Sequence, residues 1–174
     1  METTAKRKTG AYAQRLAYTF IDSPVGRLLL AGDERGLWQL SFVRKDRPVQ
    51  VGDGWLVSEN AFQDARQELG AYFGGELRRF ELRVHLVGTE FQLAVWNALL
   101  SIPYGSTWSY GDLARAVAKP AAVRAVGGAN HANPVSIVVP CHRVIGSNGK
   151  LVGYGGGLDV KARLLALERG DFFA

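Results

Sequence analysis

Between Thr89 and Asn130 the sequence starts and stops helices three times, and this punctuation limits the fold more than any other feature. "TEFQ" at 89–92 has the pattern of a capping box, with Thr89 as N-cap and Gln92 reaching back to it. The helix it begins runs through about Ser101 and is ended by Pro103 and Gly105. Ser109 can cap a second helix, "YGDLARAVA". Pro120 suits the first position of a third, "PAAVRAVGGAN". Two helices joined by so tight a turn predict a helix-turn-helix. Its last helix surrounds Arg124 with Ala121, Ala122, Ala125, Gly127 and Gly128, and small residues let another surface approach the backbone closely.

The first half is patterned differently. Leu16–Ile21, Arg27–Ala31 and Leu37–Val43 read as three strands, split by the turn-like "DSPVG" and "GDERG", and their spacing predicts an antiparallel meander. "SENAFQDARQELGAYFGG" places Phe62, Ala65, Leu69 and Tyr72 on one helical face, with Ser58 as N-cap and Gly74–Gly75 as the stop. In "RFELRVHL" the alternation of Phe80, Leu82, Val84 and Leu86 predicts a strand. After Asn133–Pro134, "SIVVP" reads as a short apolar strand leading to Cys141, and "DVKARLLALERG" as a final amphipathic helix. The expected class is α+β: a basic disordered tail at 1–14, an N-terminal unit of antiparallel sheet and helix at 15–87, and a mainly helical unit at 88–174.

Composition matters here mainly for what it excludes. No apolar run approaches the ~20 residues of a membrane span. One cysteine in 174 residues rules out an internal disulfide and any zinc site with two cysteine ligands, and a reducing cytoplasm fits best. The net charge of +5 leans mildly towards a polyanionic partner. From Gly88 onward there are eight Lys/Arg against five Asp/Glu, too diffuse an excess to mark a surface by itself.

The chemistry gathers around Cys141. A thiol titrates near ~8.5, so a nucleophilic cysteine needs assistance. His142 is next in sequence, although adjacency alone does not make a contact. On the last helix Val160, Leu164 and Glu168 follow an i, i+4 spacing, so Glu168 falls on or beside the core-facing stripe. A carboxylate there needs a partner. His142 is the most attractive one, since a carboxylate would orient its ring and support a positive imidazole. Cys141, His142 and Glu168 then supply a nucleophile, a base and an orienting group. Three roles stay open for Cys141 on this reading: a buried filler, the nucleophile of a hydrolase that turns over, or a reagent consumed once. A non-enzymatic helix-turn-helix module also fits the pattern.

"PCHRV" at 140–144 resembles the alkyl-acceptor motif of the O6-alkylguanine-DNA alkyltransferases, also called methylated-DNA–protein-cysteine methyltransferases. "GTEFQLAVWNALLSIPYGSTWSYGDLA", "AVRAVGGANHANPVSIVVPCHRVIGSNG" and "GYGGGLDVKARLLALE" are similar to family patterns in order, covering nearly all of 88–170. "IDSPVGRLLLAG" carries a looser likeness in the first half. The resemblance implies a ribonuclease H-like first domain and a winged-helix-like second. It also implies a repair protein that flips O6-alkylguanine out of duplex DNA through the minor groove, with O4-alkylthymine as a second candidate substrate. The alkyl group passes irreversibly to Cys141 in a single turnover. By position, His142 deprotonates Cys141 through a water, Glu168 orients His142, and Asn133 braces the turn before the cysteine. Arg124 fills the gap left by the flipped base, and Tyr110 favours rotation of the nucleotide and donates to the guanine. Tyr154 lines the pocket, the carbonyls of Cys141 and Val144 read the guanine amino group, and Lys161 supports the site. Ala121, Ala122, Ala125 and Gly127 form the DNA-facing surface. The implied partner is double-stranded DNA, bound by a monomer, with cooperative binding left open, and no cofactor is implied. Two positions depart from some members: Gly155 stands where they have serine, leaving only its backbone N–H to reach O6, and Ser136 stands where they have a pocket-wall proline. The first half has no cysteine for the zinc that some members carry, so no metal is expected.

Overall fold

In the computed structural model residues 15–171 are described, and the expected tail at 1–14 lies outside them. Strands β1 (Ala17–Ile21), β2 (Leu28–Asp33) and β3 (Gly36–Phe42) form the expected antiparallel meander. Strand β4 (Leu56–Val57) adds a parallel edge to β1, giving the order β3-β2-β1-β4. β2 reads "LLLAGD" because both of its faces are covered. Leu28 and Leu30 enter the main core, while Leu29 and Ala31 pack on the other face with Leu16, Trp38 and Trp55.

Helix α1 (Gln63–Phe73) buries Ala65, Leu69 and Tyr72 as the periodicity predicts and stops at Gly74, but Ser58 is not its cap. The N-cap is Phe62, while the Ser58 N–H donates to the Tyr18 carbonyl and continues the β1–β4 pairing. "RFELRVHL" is not a regular strand. It makes one isolated bridge, Val84 to Leu37, flanked by hydrogen bonds from Leu37 to Arg83 and from His85 to Leu37. The outer edge of β3 is shared: Leu40 pairs instead with Val135, exchanging hydrogen bonds with Pro134 and Ser136. Two segments divide one edge, so neither builds a ladder. The alternation of Leu82, Val84 and Leu86 survives as packing against the core.

The capping box expected at Thr89 forms, and Ser109 caps its helix as expected, with Asp112 completing a second box. Thr89 and Gln92 cap α2 (Glu90–Leu100), and Ser109 and Asp112 cap α3 (Tyr110–Ala116). The turn to α4 is longer than expected. α4 spans Val123–His131 with Ala122 as an N-cap that makes no side-chain bond, and the Ala122 N–H donates to the Lys119 carbonyl. Pro120, Ala121 and Ala122 therefore belong to the turn, not to the helix. Trp96 of α2 donates its indole N–H to the Ala129 carbonyl of α4 at 2.9 Å and fixes the helix-turn-helix to the helix before it.

"SIVVP" is a compact turn and not a strand, with a bridge between Ser136 and Val139 and Ile137 at φ 72°. A β-branched residue in that region is strained by roughly 1–3 kcal/mol. Asn133 holds the turn, accepting from the Val135 N–H at 3.0 Å and donating to the Val139 carbonyl at 2.8 Å. Cys141–Arg143 then form a single 3-10 turn, and β6 (Val144–Ile145) pairs in parallel with β5 (Trp108–Ser109). α5 (Leu158–Glu168) packs Val160, Leu164 and Glu168 inward. Each buried aliphatic side chain contributes about 1.5–3 kcal/mol. Buried residues of both halves form one continuous core, from Leu28 and Leu40 to Val95 and Leu164.

Candidate active site

Glu168 ends α5 with its carboxylate fully buried. Its oxygens are saturated with donors. Oε1 faces His142 Nε2 at 2.7 Å, the Tyr72 hydroxyl at 2.8 Å and Arg143 Nη2 at 2.9 Å. Oε2 accepts from Arg143 Nε at 2.8 Å and from the Gly105 N–H at 3.0 Å. The third Arg143 nitrogen donates to the Ile102 carbonyl at 2.7 Å. Burial by itself would push the Glu168 carboxyl up, but the hydrogen bonds and charges of His142 and Arg143 outweigh it and hold the group well below the usual carboxylate range.

A carboxylate only accepts, so His142 carries its proton on Nε2 and leaves Nδ1 bare. Nδ1 is buried and has no hydrogen-bond partner in the protein. Burial lowers the pKa of His142 below its ordinary 6.5, and the charges of Arg143 and Lys161 add to that, against the pull of Glu168. Sequence reasoning has Glu168 supporting a positive imidazole. In the structure burial outweighs Glu168, with Arg143 and Lys161 adding to it, and so favours the neutral imidazole, the state a base needs.

Cys141 is 5% exposed. Burial pushes its thiol up, while the Asn133 side chain, the charge of Lys161 and the backbone N–H groups of Cys141 and His142 pull it down without cancelling the rise. The resting group is a thiol in a shell of donors, ready to hold a thiolate once the proton is removed. Lys161 is buried completely, and its ammonium donates to the carbonyls of Val144 at 2.6 Å and Val152 at 2.8 Å. Burial lowers it to about 8, with Cys141 opposing. It ties β6 to the glycine-rich loop beside the thiol.

Cys141 opens into a cavity of about 750 Å³. Tyr110, Arg124, Gly127, Asn133, Tyr154, Gly155 and Ser136, all singled out from sequence, line it. Val144 does not, and its carbonyl already accepts from Lys161. Ala121, in the turn before α4, and Ala125, on α4, are exposed and Ala122 is half-buried, none of them lining the cavity. A side chain at Gly155 would meet nothing within 4 Å, so that wall is open. The Tyr110 hydroxyl donates to the Val152 carbonyl at 3.4 Å, and burial with nearby Cys141 raises its pKa. The Tyr154 hydroxyl is buried without a partner. Among the described residues no cluster of three His, Cys, Asp or Glu could hold a metal ion, and no helix is long and apolar enough to cross a membrane.

Sequence reasoning missed Arg143, Tyr72, the Gly105 N–H, and the wall that Phe42 and residues 47–50 add from the first half. Two signals were available. A buried carboxylate calls for a cation, and Arg143 follows His142 directly. A tyrosine on a core-facing stripe calls for a partner for its hydroxyl, and Tyr72 is on that stripe.

Family models match both halves of the chain. "6-O-methylguanine DNA methyltransferase, DNA binding domain" covers residues 90–170, and "6-O-methylguanine DNA methyltransferase, ribonuclease-like domain" covers 16–86. A Methanosarcina acetivorans protein named methylated-DNA–protein-cysteine methyltransferase is 52% identical over 151 residues, spanning 87% of this chain and 97% of its own. A Mycolicibacterium paratuberculosis protein of the same name is 53% identical over 155 residues, spanning 88% and 93%. The crystal structure of Mycobacterium tuberculosis OGT in complex with DNA matches with a TM-score of 0.85 at 48% identity, spanning 91% of this chain and 96% of that one.

Proposed function

The chain belongs to the methylated-DNA–protein-cysteine methyltransferase family, and from that premise we propose that it repairs DNA by taking the alkyl group of O6-alkylguanine onto its own Cys141. Its partner is DNA, in keeping with the relative solved in complex with DNA. The observation that carries the residue assignment is the buried run from Cys141 through His142 to Glu168, set beside a cavity that Cys141 and Arg124 of α4 both line.

The reaction balances without a cofactor. The bare Nδ1 of His142 takes the Cys141 proton through a bridging water. The sulfur attacks the alkyl carbon, the carbon–O6 bond breaks, and its electron pair returns to the purine. A proton delivered by way of Tyr110 restores guanine. Glu168 keeps the imidazole aimed, and Asn133 holds the strained turn that presents the thiol. The thioether product has no leaving group for water to displace, so each molecule acts once.

The target base must leave the stack, at a cost of roughly a few kcal/mol. Arg124, exposed on α4 and lining the cavity, offsets part of that cost by filling the vacancy. The glycines of α4 support a close approach to the minor groove. A Cβ at Gly128 would touch nothing within 4 Å, and one at Gly127 only the Tyr110 ring at 3.8 Å. Glycine inside a helix costs about 1 kcal/mol against alanine. The packing of this protein does not demand that cost, whereas the backbone of a partner does. Binding by the minor groove reads sequence weakly, which suits a protein that scans for damage. The free thiol supports a reducing cytoplasm as its compartment, and the chain acts as a monomer divided at residues 87 and 88.

The test is a count of product. With a damaged duplex in large excess, repaired guanine plateaus at one equivalent per protein. Continued turnover overturns the proposal in favour of a cysteine hydrolase-like catalyst.

A further inference from the structure

We propose that Tyr72, from the first half of the chain, is a positioning residue that tempers the pull of Glu168 on His142 and so keeps the imidazole a free base. The inference rests on the alkyl-transfer reading above, and it gives the first half a part in the chemistry beyond its part in the fold.

Tyr72 is 1% exposed on the inner face of α1, its ring packed among Phe73, Phe80 and Tyr104. Phenylalanine would fill that space equally well, so the hydroxyl needs its own explanation. It donates to Glu168 Oε1 at 2.8 Å, the same oxygen that faces His142 Nε2 at 2.7 Å, and it lies 3.5 Å from Nε2 itself. Three donors therefore share Oε1. Each draws charge from the oxygen, and what one takes is lost to the others.

The consequence for His142 follows from which groups surround it. Arg143 in its own turn, Lys161 and Glu168 on α5, Tyr72 on α1 and the ring of Tyr154 face the imidazole. Burial opposes a positive charge on the ring most, Arg143 and Lys161 oppose it further, and Glu168 alone favours one. A carboxylate free to concentrate its charge on Oε1 would raise the share of imidazolium, and imidazolium cannot take the thiol proton. Tyr72 and Arg143 together blunt Glu168 enough to orient the ring without charging it. Arg143 also carries the structural duty of compensating a buried carboxylate. Tyr72 is neutral and can be changed without leaving an unpaired charge behind.

The experiment uses the full chain and Tyr72→Phe. Methyl transfer from a duplex containing O6-methylguanine is followed in single turnover from pH ~5 to pH ~8, and the His142 ring is titrated by NMR. Loss of one hydrogen bond to Oε1 should raise the His142 midpoint by roughly half to one pH unit. The acidic limb of the rate profile should move up by the same amount, so the variant is slowed most at low pH and least at high pH. An unchanged His142 midpoint, or slowing by one factor at every pH, makes Tyr72 a packing residue and overturns the proposal. The NMR arm stands apart from the repair reaction: absence of transfer by the wild type refutes the functional reading, while the midpoints still decide the role of Tyr72. Should Tyr72→Phe not fold, the wild type suffices. The Tyr72 hydroxyl proton should shift with pH at the His142 midpoint, and a shift independent of His142 overturns the proposal.

Discussion

Glu168 and the outer face of α4 are built on opposite rules. Around Glu168 every acceptor position is taken: a buried imidazole, phenol and two guanidinium nitrogens, with the backbone N–H of Gly105 at the edge, converge on two oxygens. On α4, Arg124, Ala125 and Gly128 face outward, and the glycine leaves space that nothing in the protein fills. The first region is complete before any partner arrives. The second is left open, and on the proposed function DNA fills it. A protein that must hold a thiol ready and also press against an arbitrary stretch of DNA needs both, because saturation gives fixed geometry and vacancy gives close approach.

The largest effect should come from breaking the saturated side. Glu168→Ala leaves the Arg143 guanidinium buried without its carboxylate, and losing one partner of a buried pair costs about 3–5 kcal/mol. Urea denaturation measures it, and a loss under about 1 kcal/mol, typical of an exposed pair, would mean that the network is not what holds α5 to the cysteine turn.

On the open side the effect falls on DNA. Arg124→Ala should slow transfer from duplex DNA by roughly 10- to 100-fold, on the scale of an unstacking cost of a few kcal/mol. Transfer from a free-base pseudosubstrate should change much less, and equal slowing on both would remove the case for filling the vacancy. Gly128→Ala should stabilise the fold by up to about 1 kcal/mol while weakening DNA binding. Thermal denaturation and a binding titration at fixed salt check the two halves of that statement. A variant that gains stability and keeps its affinity would show that the vacancy serves no partner.

The same contrast explains what could be read from the sequence. Local features were legible: the capping box at Thr89, the N-cap at Ser109, the three strands, and the stripe that buries Glu168. Each depends on spacing within a dozen residues. Features set by distant segments were not. "RFELRVHL" has the alternation of a strand, but β3 offers it only part of an edge because Val135 takes the rest. Ser58 has the side chain of a cap, but its N–H is claimed by Tyr18. Pro120 suits the start of a helix, yet the chain needs three more residues to turn. At the site, Cys141, His142 and Glu168 were named from pattern and resemblance, whereas Tyr72 and Gly105 reach Glu168 from elements whose approach no local spacing encodes. Arg143 is the instructive omission, since the rule that a buried carboxylate needs compensation pointed to it.

The central claim is that Cys141 itself receives the alkyl group. Incubation with a duplex carrying O6-methylguanine, followed by proteolysis and mass spectrometry, tests it directly. One added methyl group is expected on Cys141, with the duplex restored to guanine and neither change with Cys141→Ser. A methyl group on any other residue, or repair by Cys141→Ser, would contradict it.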